Sequence, residues 1–372
     1  MKAIITGGGT GGHIYPALAV AKSLINKNWE VLYLGSKGGL EGEIVPAEGI
    51  DYNEVDVAPL PRKITFDLFS SIYKTTKGYF QARKYIKDFQ PDIVLGTGGY
   101  VAGPVVLAAS MFRIPTIIHE QNVYPGFTNR LLSRKVDLVA LNFADAEKYF
   151  SKKVKARFET TGNPIREVIL NTEKEKSIKE LGLDSYKKTL LVFGGSQGSM
   201  SINNAMIDVY KYFAKNDDIQ IIHITGKNNY IGIMEKMKDV GIELANNDNY
   251  KIMPYLKKME YAYAVADLIV YRAGATGIAE ITASGIPAIL VPYPHAAGNH
   301  QEYNARTLEK HNAAVIILDE ELNGQVLIEN IEKLINDNKT LEKMSVNSKK
   351  IARPDAAKNI VKIIEKIVSS KN

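Results

Sequence analysis

Residues 3–13, AIITGGGTGGH, and residues 190–199, LLVFGGSQGS, each set a glycine-rich turn between a short apolar run and a helical pattern. A brief apolar run closed by glycine is what a strand buried on both faces looks like in sequence. Glycine then lets the following helix start close to the strand end. The same device recurs after 187 residues, which predicts two similar Rossmann-like halves. Working outward, runs at 2–6, 30–34, 93–95, 116–118 and 138–140 read as strands of the first half. Runs at 190–193, 219–224, 268–271, 288–291 and 314–318 read as strands of the second. Helical periods lie between them, at 16–24, 259–266 and 278–284. Such alternation predicts an α/β chain built from two doubly wound parallel sheets. The turn residues TTGNP at 160–164 mark the expected boundary. The domains are accordingly read as 1–160 and 161–354, with 355–372 forming an amphipathic helix that carries Ile360, Ile363, Ile364 and Ile367.

Composition narrows the class. Of 372 residues, 45% are hydrophobic and 24% charged, which excludes disordered, collagen-like and coiled-coil chains. The absence of cysteine excludes a disulfide framework, thiolate metal sites and a cysteine nucleophile. No run approaches the ~18 apolar residues of a membrane span, and MKAIITGGG lacks a signal core, so a cytoplasmic protein is expected. The net charge of +6 is unevenly placed. Residues 1–160 hold 20 Lys and Arg against 15 Asp and Glu, whereas residues 161–372 hold 27 against 26. Within residues 59–89, Arg62, Lys63, Lys74, Lys77, Arg83, Lys84 and Lys87 face only Asp67 and Asp88.

Three glycine turns follow predicted strands: 7–12, 96–103 and 194–198. Backbone N–H groups at such turns, with a helix N-terminus behind them, suit a phosphate. Gly7, Gly9 and Gly12 fit the dinucleotide spacing, but the second strand ends in Leu34-Gly35-Ser36 without the ribose-binding acid. His13-Ile14 stands where a nucleotide triphosphatase loop needs Lys then Ser or Thr. A further constellation runs from Arg272 to Glu280 as RAGATGIAE. There a helix N-terminus can face a diphosphate while Glu280, one turn in, can grip ribose hydroxyls. The loop from Val291 to Asn304 is rich in amide and imidazole groups, which bond neutral sugar hydroxyls well.

Taken together, GGGTGGHIYPALA, LGTGGYVAGP, HEQN (119–122), TGNPIR (161–166), FGGSQGS, RAGATGIAE and NHQEYNA resemble the MurG family of bacterial glycosyltransferases, in order, from residue 1 to about 310. The resemblance implies glycosyltransferase family 28 and a GT-B fold, two Rossmann-like domains facing a cleft, with the final helix returning to the first domain. It implies transfer of GlcNAc from UDP-GlcNAc to undecaprenyl-pyrophosphoryl-MurNAc-pentapeptide (lipid I), forming lipid II for peptidoglycan. It also implies site residues. Ser196 and Arg166 would contact the donor, Leu256 would lie against uracil, and Ala275, Thr276 and Glu280 would hold phosphate and ribose. Gln301 would read the GlcNAc hydroxyls, and Thr10, Gly11, Gly12 and Asn122 would complete the site. Two departures stand out: His300 replaces a glutamine found in some members, and Gly38 and Gly39 occupy a turn that elsewhere carries an acid.

The implied chemistry is an inverting displacement of UDP by the C4 hydroxyl of MurNAc. His13 is the expected general base, since imidazole titrates near neutral pH and a helix N-terminus favours its neutral form. His119 and Glu120 are further candidates, and His223 and His311 are expected to be structural. No D-x-D motif offers a metal site, so no metal and no cofactor is expected. The segment 64–80 mixes Ile64, Phe66, Leu68, Phe69, Ile72, Tyr73, Tyr79 and Phe80 with bases. It is read as a surface for anionic inner-leaflet lipid, placing the protein peripherally on the cytoplasmic face of the cell membrane, with the wall-synthesis machinery as possible partners. Nucleic acid would account for the bases but not for the sugar-site motifs. The alternatives are a UDP-GlcNAc 2-epimerase, a glycolipid synthase, a non-catalytic nucleotide-sugar sensor and a nicotinamide oxidoreductase.

Overall fold

The computed structural model describes residues 1–59, 66–214, 216–242 and 248–370, without the side chains of 66–68. The chain divides into two compact units. One is Met1–Arg166 together with Arg353–Asn372, and the other is Glu167–Ala352.

The first unit holds seven parallel strands: β1 (Lys2–Thr6), β2 (Glu30–Ser36), β3 (Asp51–Val55), β4 (Ile93–Gly96), β5 (Thr116–Glu120), β6 (Leu138–Leu141) and β7 (Arg157–Thr160). Their order is β3-β2-β1-β4-β5-β6-β7. Both faces are covered, so successive residues of β1 serve different cores. Ile4 packs with Leu34, Val94, Val105 and Ile118, while Ile5 packs with Leu24, Tyr33 and Ile117. This is why β1 reads as a continuous apolar run and not as an alternation. The helix Ala356–Ser369 joins the Ile5 side through Ile360, Val361 and Ile364, and Lys27 pairs with its Glu365 at 2.8 Å.

The second unit holds β8 (Lys188–Phe193), β9 (Ile219–Ile224), β10 (Tyr250–Met253), β11 (Leu268–Tyr271), β12 (Ala288–Leu290) and β13 (Ala314–Ile316). All pair in parallel, in the order β10-β9-β8-β11-β12-β13. Leu190, Val192, Val270 and Ile289 meet Met206, Tyr210, Leu327 and Ile331 in its core. In both sheets the strand order reverses beside the first strand, with Thr6 flanked by Leu34 and Gly96 and Phe193 flanked by Ile224 and Tyr271. Ligands of open α/β sheets bind at the carboxyl ends of strands around such a reversal.

Three strands escape the sequence reading: β3, β7 and β10. Each lies at a sheet edge. Their sequences, DYNEV, RFET and YKIM, carry polar residues because an edge strand is only partly covered. The basic–aromatic segment forms the helix Phe66–Phe89. Its Ala82 and Ile86 are buried, whereas Phe69, Ile72, Tyr73 and Phe80 are exposed, Tyr73 to 71%. The apolar row read from the sequence therefore points outward. Arg62, Lys63 and Ile64, and the side chains of Phe66, Asp67 and Leu68, lie outside the described residues. Among the described residues, no helix is long and apolar enough to cross a membrane.

Candidate functional site

The sequence-derived site residues of the first unit gather behind β1, β4 and β5. The helix Gly11–Ile25 begins directly after the glycine loop, one turn before the sequence reading placed it, and Pro16 lies inside it. Thr10 is its extended N-cap residue, and the amides of His13 and Ile14 both donate to the Thr10 carbonyl. His13 thus sits in the first turn, partly exposed, beside the end of β4.

Two acceptors meet the Nδ1 of the His13 imidazole. Its Nδ1 lies 3.0 Å from the Thr97 carbonyl and 3.2 Å from Gln121 Oε1. Both partners accept, so Nδ1 carries the hydrogen and the neutral ring keeps its lone pair on Nε2. The Gln121 amide donates to the Thr97 carbonyl at 2.5 Å and to His119 Nδ1 at 3.1 Å. His119 Nε2 in turn donates to the Gly162 carbonyl at 2.9 Å. One chain of hydrogen bonds therefore fixes the tautomers of both histidines. The close seat of the ring explains a glycine: Gly98 has a φ of +109°, and a Cβ there would come within 2.8 Å of His13 Nδ1.

His119 and Glu120 are less available than the sequence implied. Glu120 is buried; its Oε1 accepts from the Asn122 amide and its Oε2 from the Gly126 amide and Asn129 Nδ2. It braces the 121–126 loop and so places Asn122. His119 is fully enclosed, and burial, helped by the neighbouring His13, pushes its pKa down to about 4 against the pull of the Gly162 carbonyl. His223 is also enclosed, bonded to Tyr210 and Asn203, and burial pushes it down to about 3.

These buried neutral histidines predict an acid-sensitive fold. An unfolded histidine titrates near ~6.5, so below that value the unfolded chain binds protons that the folded chain refuses. Stability is full above about pH 6.5 and falls as pH drops toward about 4, by on the order of 3 kcal/mol for His119 alone. Urea midpoints taken at about pH 7.5, 6 and 5 should decline steadily, and a flat series would contradict this assignment.

In the second unit the corresponding residues follow β8, β10, β11 and β12. Ser196 is exposed in the turn after β8, where Gly198, with φ +76°, abuts the Thr225 carbonyl. Leu256 lies in the loop after β10. Ala275 opens the helix Ala275–Ser284, so the N–H groups of Ala275 and Thr276 point out of its N-terminus. Glu280 is 8% exposed and accepts from the Tyr263 hydroxyl at 3.0 Å. Gln301 Oε1 accepts from the amides of Ala273 and Tyr293, at 3.2 and 2.9 Å. That orients the carboxamide with its NH2 as the donor left for another group. Arg166 belongs to the first unit, its guanidinium 5.7 Å from the Tyr15 ring.

Supporting residues emerge only in three dimensions. Buried Arg272 donates to the Val291 and Pro292 carbonyls, to Asp319 at 2.5 Å and to Ser201 at 2.7 Å, which ties together the ends of β11, β12 and β13. Asn304 donates to the Ala273 carbonyl. Gln121, Arg272 and Asn304 all lie inside quoted motifs, which is the signal that singles them out. Tyr263 and Asp319 carry none. Among the described residues, no group of three or more His, Asp or Glu is placed to hold a metal ion.

The model of the glycosyltransferase family 28 N-terminal domain matches residues 3–141, and that of its C-terminal domain matches residues 189–360. The "UDP-N-acetylglucosamine--N-acetylmuramyl-(pentapeptide) pyrophosphoryl-undecaprenol N-acetylglucosamine transferase" of Halothermothrix orenii is 56% identical over 365 residues, 98% of each chain. The enzyme of the same name from Caldanaerobacter subterraneus is 45% identical over 99% of this chain and 100% of its own. The crystal structure of Acinetobacter baumannii MurG superposes with a TM-score of 0.77 at 29% identity, covering 98% of this chain and 99% of that one. A UDP-GlcNAc 2-epimerase from Neisseria meningitidis superposes at 0.72 with 15% identity over the full length of both, a likeness of fold alone.

Proposed function

Because the chain belongs to glycosyltransferase family 28, we propose that it transfers GlcNAc from UDP-GlcNAc to the C4 hydroxyl of MurNAc in lipid I, with inversion, forming lipid II for peptidoglycan. The observation that carries this reading is the 56% identity with the Halothermothrix orenii transferase across 98% of both chains.

The residues divide the work by unit. In the second, Leu256 meets uracil through its backbone, Glu280 holds the ribose hydroxyls, and the amides of Ala275 and Thr276 face the diphosphate. Gln301 donates its amide hydrogen to a GlcNAc hydroxyl. In the first, residues 1–160 serve the acceptor, and Thr10, Gly11, Gly12 and Asn122 complete the donor contacts. His13 Nε2 takes the proton of the C4 hydroxyl as the oxygen bonds to the anomeric carbon. The bond from that carbon to phosphate breaks, and its electron pair leaves with UDP. Positive ends of helices, the Ser196 hydroxyl and the Arg166 guanidinium meet the developing charge. The product linkage tests the stereochemistry: NMR of the disaccharide should show a β-1,4 bond from the α-linked donor, and an α bond would contradict inversion.

A lipid-linked acceptor requires the protein to work at a bilayer. The exposed row Phe69, Ile72, Tyr73 and Phe80, with Leu107 and Met111 exposed on the packed neighbouring helix Gly99–Met111, offers an apolar surface. Lys74 and Lys84 beside it are exposed, whereas Lys77 is paired with Asp56 at 2.7 Å. Surface bases near anionic lipid contribute about 1 kcal/mol each. Charge reversal at Lys74 and Lys84 should cut co-sedimentation with anionic vesicles by about tenfold or more. Equal binding to neutral and anionic vesicles would refute electrostatic docking.

A further inference from the structure

A carboxylate that none of the roles above uses packs against the first glycine loop. Glu41 opens the short helix Glu41–Ala47 and is 0% exposed. Its Oε1 accepts from the Ser36 amide at 2.8 Å and the Ser36 hydroxyl at 2.5 Å, and its Oε2 accepts from the Gly9 amide at 3.2 Å. The Ser36 hydroxyl also meets the Tyr100 hydroxyl at 3.2 Å. One buried carboxylate thus joins the turn after β1 to the end of β2, and through the Ser36 hydroxyl it reaches Tyr100 in the helix after β4.

Glycines make the room. A Cβ on Gly8 would overlap the Glu41 carboxylate, one on Gly39 would come within 2.6 Å of Glu41 Oε1, and one on Gly35 would come within 2.6 Å of Glu41 Cγ. Gly9 itself has φ +82°, and a Cβ there would press on the Tyr100 ring at 3.1 Å. Burying a carboxylate is costly unless donors surround it, and here three do. A loop meant only to cradle phosphate would offer its amides to the ligand and would not place an anion beneath them. Here the Gly9 amide is already committed, so ligand contacts shift to the Thr10–Gly12 stretch and to His13.

We propose that Glu41 is a positioning residue for transfer: seated where Gly8, Gly35 and Gly39 leave space, its carboxylate ties the first glycine loop to the end of β2 and so holds His13 and the adjoining amides in their working pose. The proposal rests on reading this loop as part of the transfer site. A displacement of about 1 Å at such a site can cost on the order of a hundredfold in rate.

Two variants attack the same contact from opposite sides. E41Q keeps the side-chain shape but presents an NH2 group to backbone donors, and G8A pushes the carboxylate out of its socket. Each should remain cooperatively folded, lower kcat by about tenfold to a hundredfold, and change the KM for UDP-GlcNAc far less. Because both break one clamp, the double variant should lose little more than either alone. Hydrogen exchange of the 7–13 backbone should rise in each variant. Folded E41Q with kcat within about twofold of the parent, a loss borne by KM, multiplied losses in the double variant, or unchanged exchange would each overturn the proposal. H13A run alongside separates the two readings: if H13A is fully active but E41Q is impaired and its loop exchanges faster, the base assignment fails and the clamp stands.

Discussion

Replacing His13 with alanine is expected to lower kcat by at least about a hundredfold while leaving UDP-GlcNAc affinity within about threefold. Positioned proton transfer typically contributes ~10²–10⁴-fold, and in the proposed role Nε2 is the nitrogen that accepts the proton. The Thr97 carbonyl and Gln121 Oε1 both accept at Nδ1, so in the neutral ring the lone pair lies on Nε2. The uracil and ribose contacts assigned to the second unit do not involve this ring, so binding should survive. Full turnover in H13A would remove His13 from the chemistry.

Glu280→Gln is expected to raise the KM for UDP-GlcNAc by about tenfold to a hundredfold. A carboxylate can accept from both ribose hydroxyls, and hydrogen bonds to a charged group contribute about 1.5–3 kcal/mol each. Glu280 lies in the helix Ala275–Ser284, is 8% exposed, and accepts from the Tyr263 hydroxyl at 3.0 Å. The amide substitute preserves size while removing the charge. A donor lacking the ribose 2′-hydroxyl supplies the control: its KM should respond much less to E280Q. An equal response with both donors would show that Glu280 acts on the helix and not on the ribose.

The legible part of the fold is the part with one dominant cause. Strands such as Leu268–Tyr271, LIVY, are covered on both faces and read as unbroken apolar runs. The strands Asp51–Val55, Arg157–Thr160 and Tyr250–Met253 lie at sheet edges, where partial exposure admits charge and breaks the run. The helix Phe66–Phe89 was legible as a helix, but its apolar row alone does not tell core from surface. Exposure of Phe69 and Phe80 decides that.

The site divides the same way. Glycine turns and the RAGATGIAE segment are local patterns, and the sequence places them at strand ends directly. The Gln121–His13 contact joins residues 108 apart, and the Arg272–Asp319 pair joins residues 47 apart. No local period encodes such pairs; packing of the sheet brings them together. Glu41 illustrates the limit most clearly. No motif in the sequence singles it out, and only the glycines around it in the fold identify a socket.

The central claim is transfer of GlcNAc to a lipid-linked acceptor. Incubating the purified chain with radiolabelled UDP-GlcNAc and a lipid I analogue, with EDTA present, tests it most directly. The account predicts label in the lipid product, dependent on the acceptor and undiminished by the chelator. Binding of UDP-GlcNAc without transfer of label, with or without added divalent metal, would contradict it.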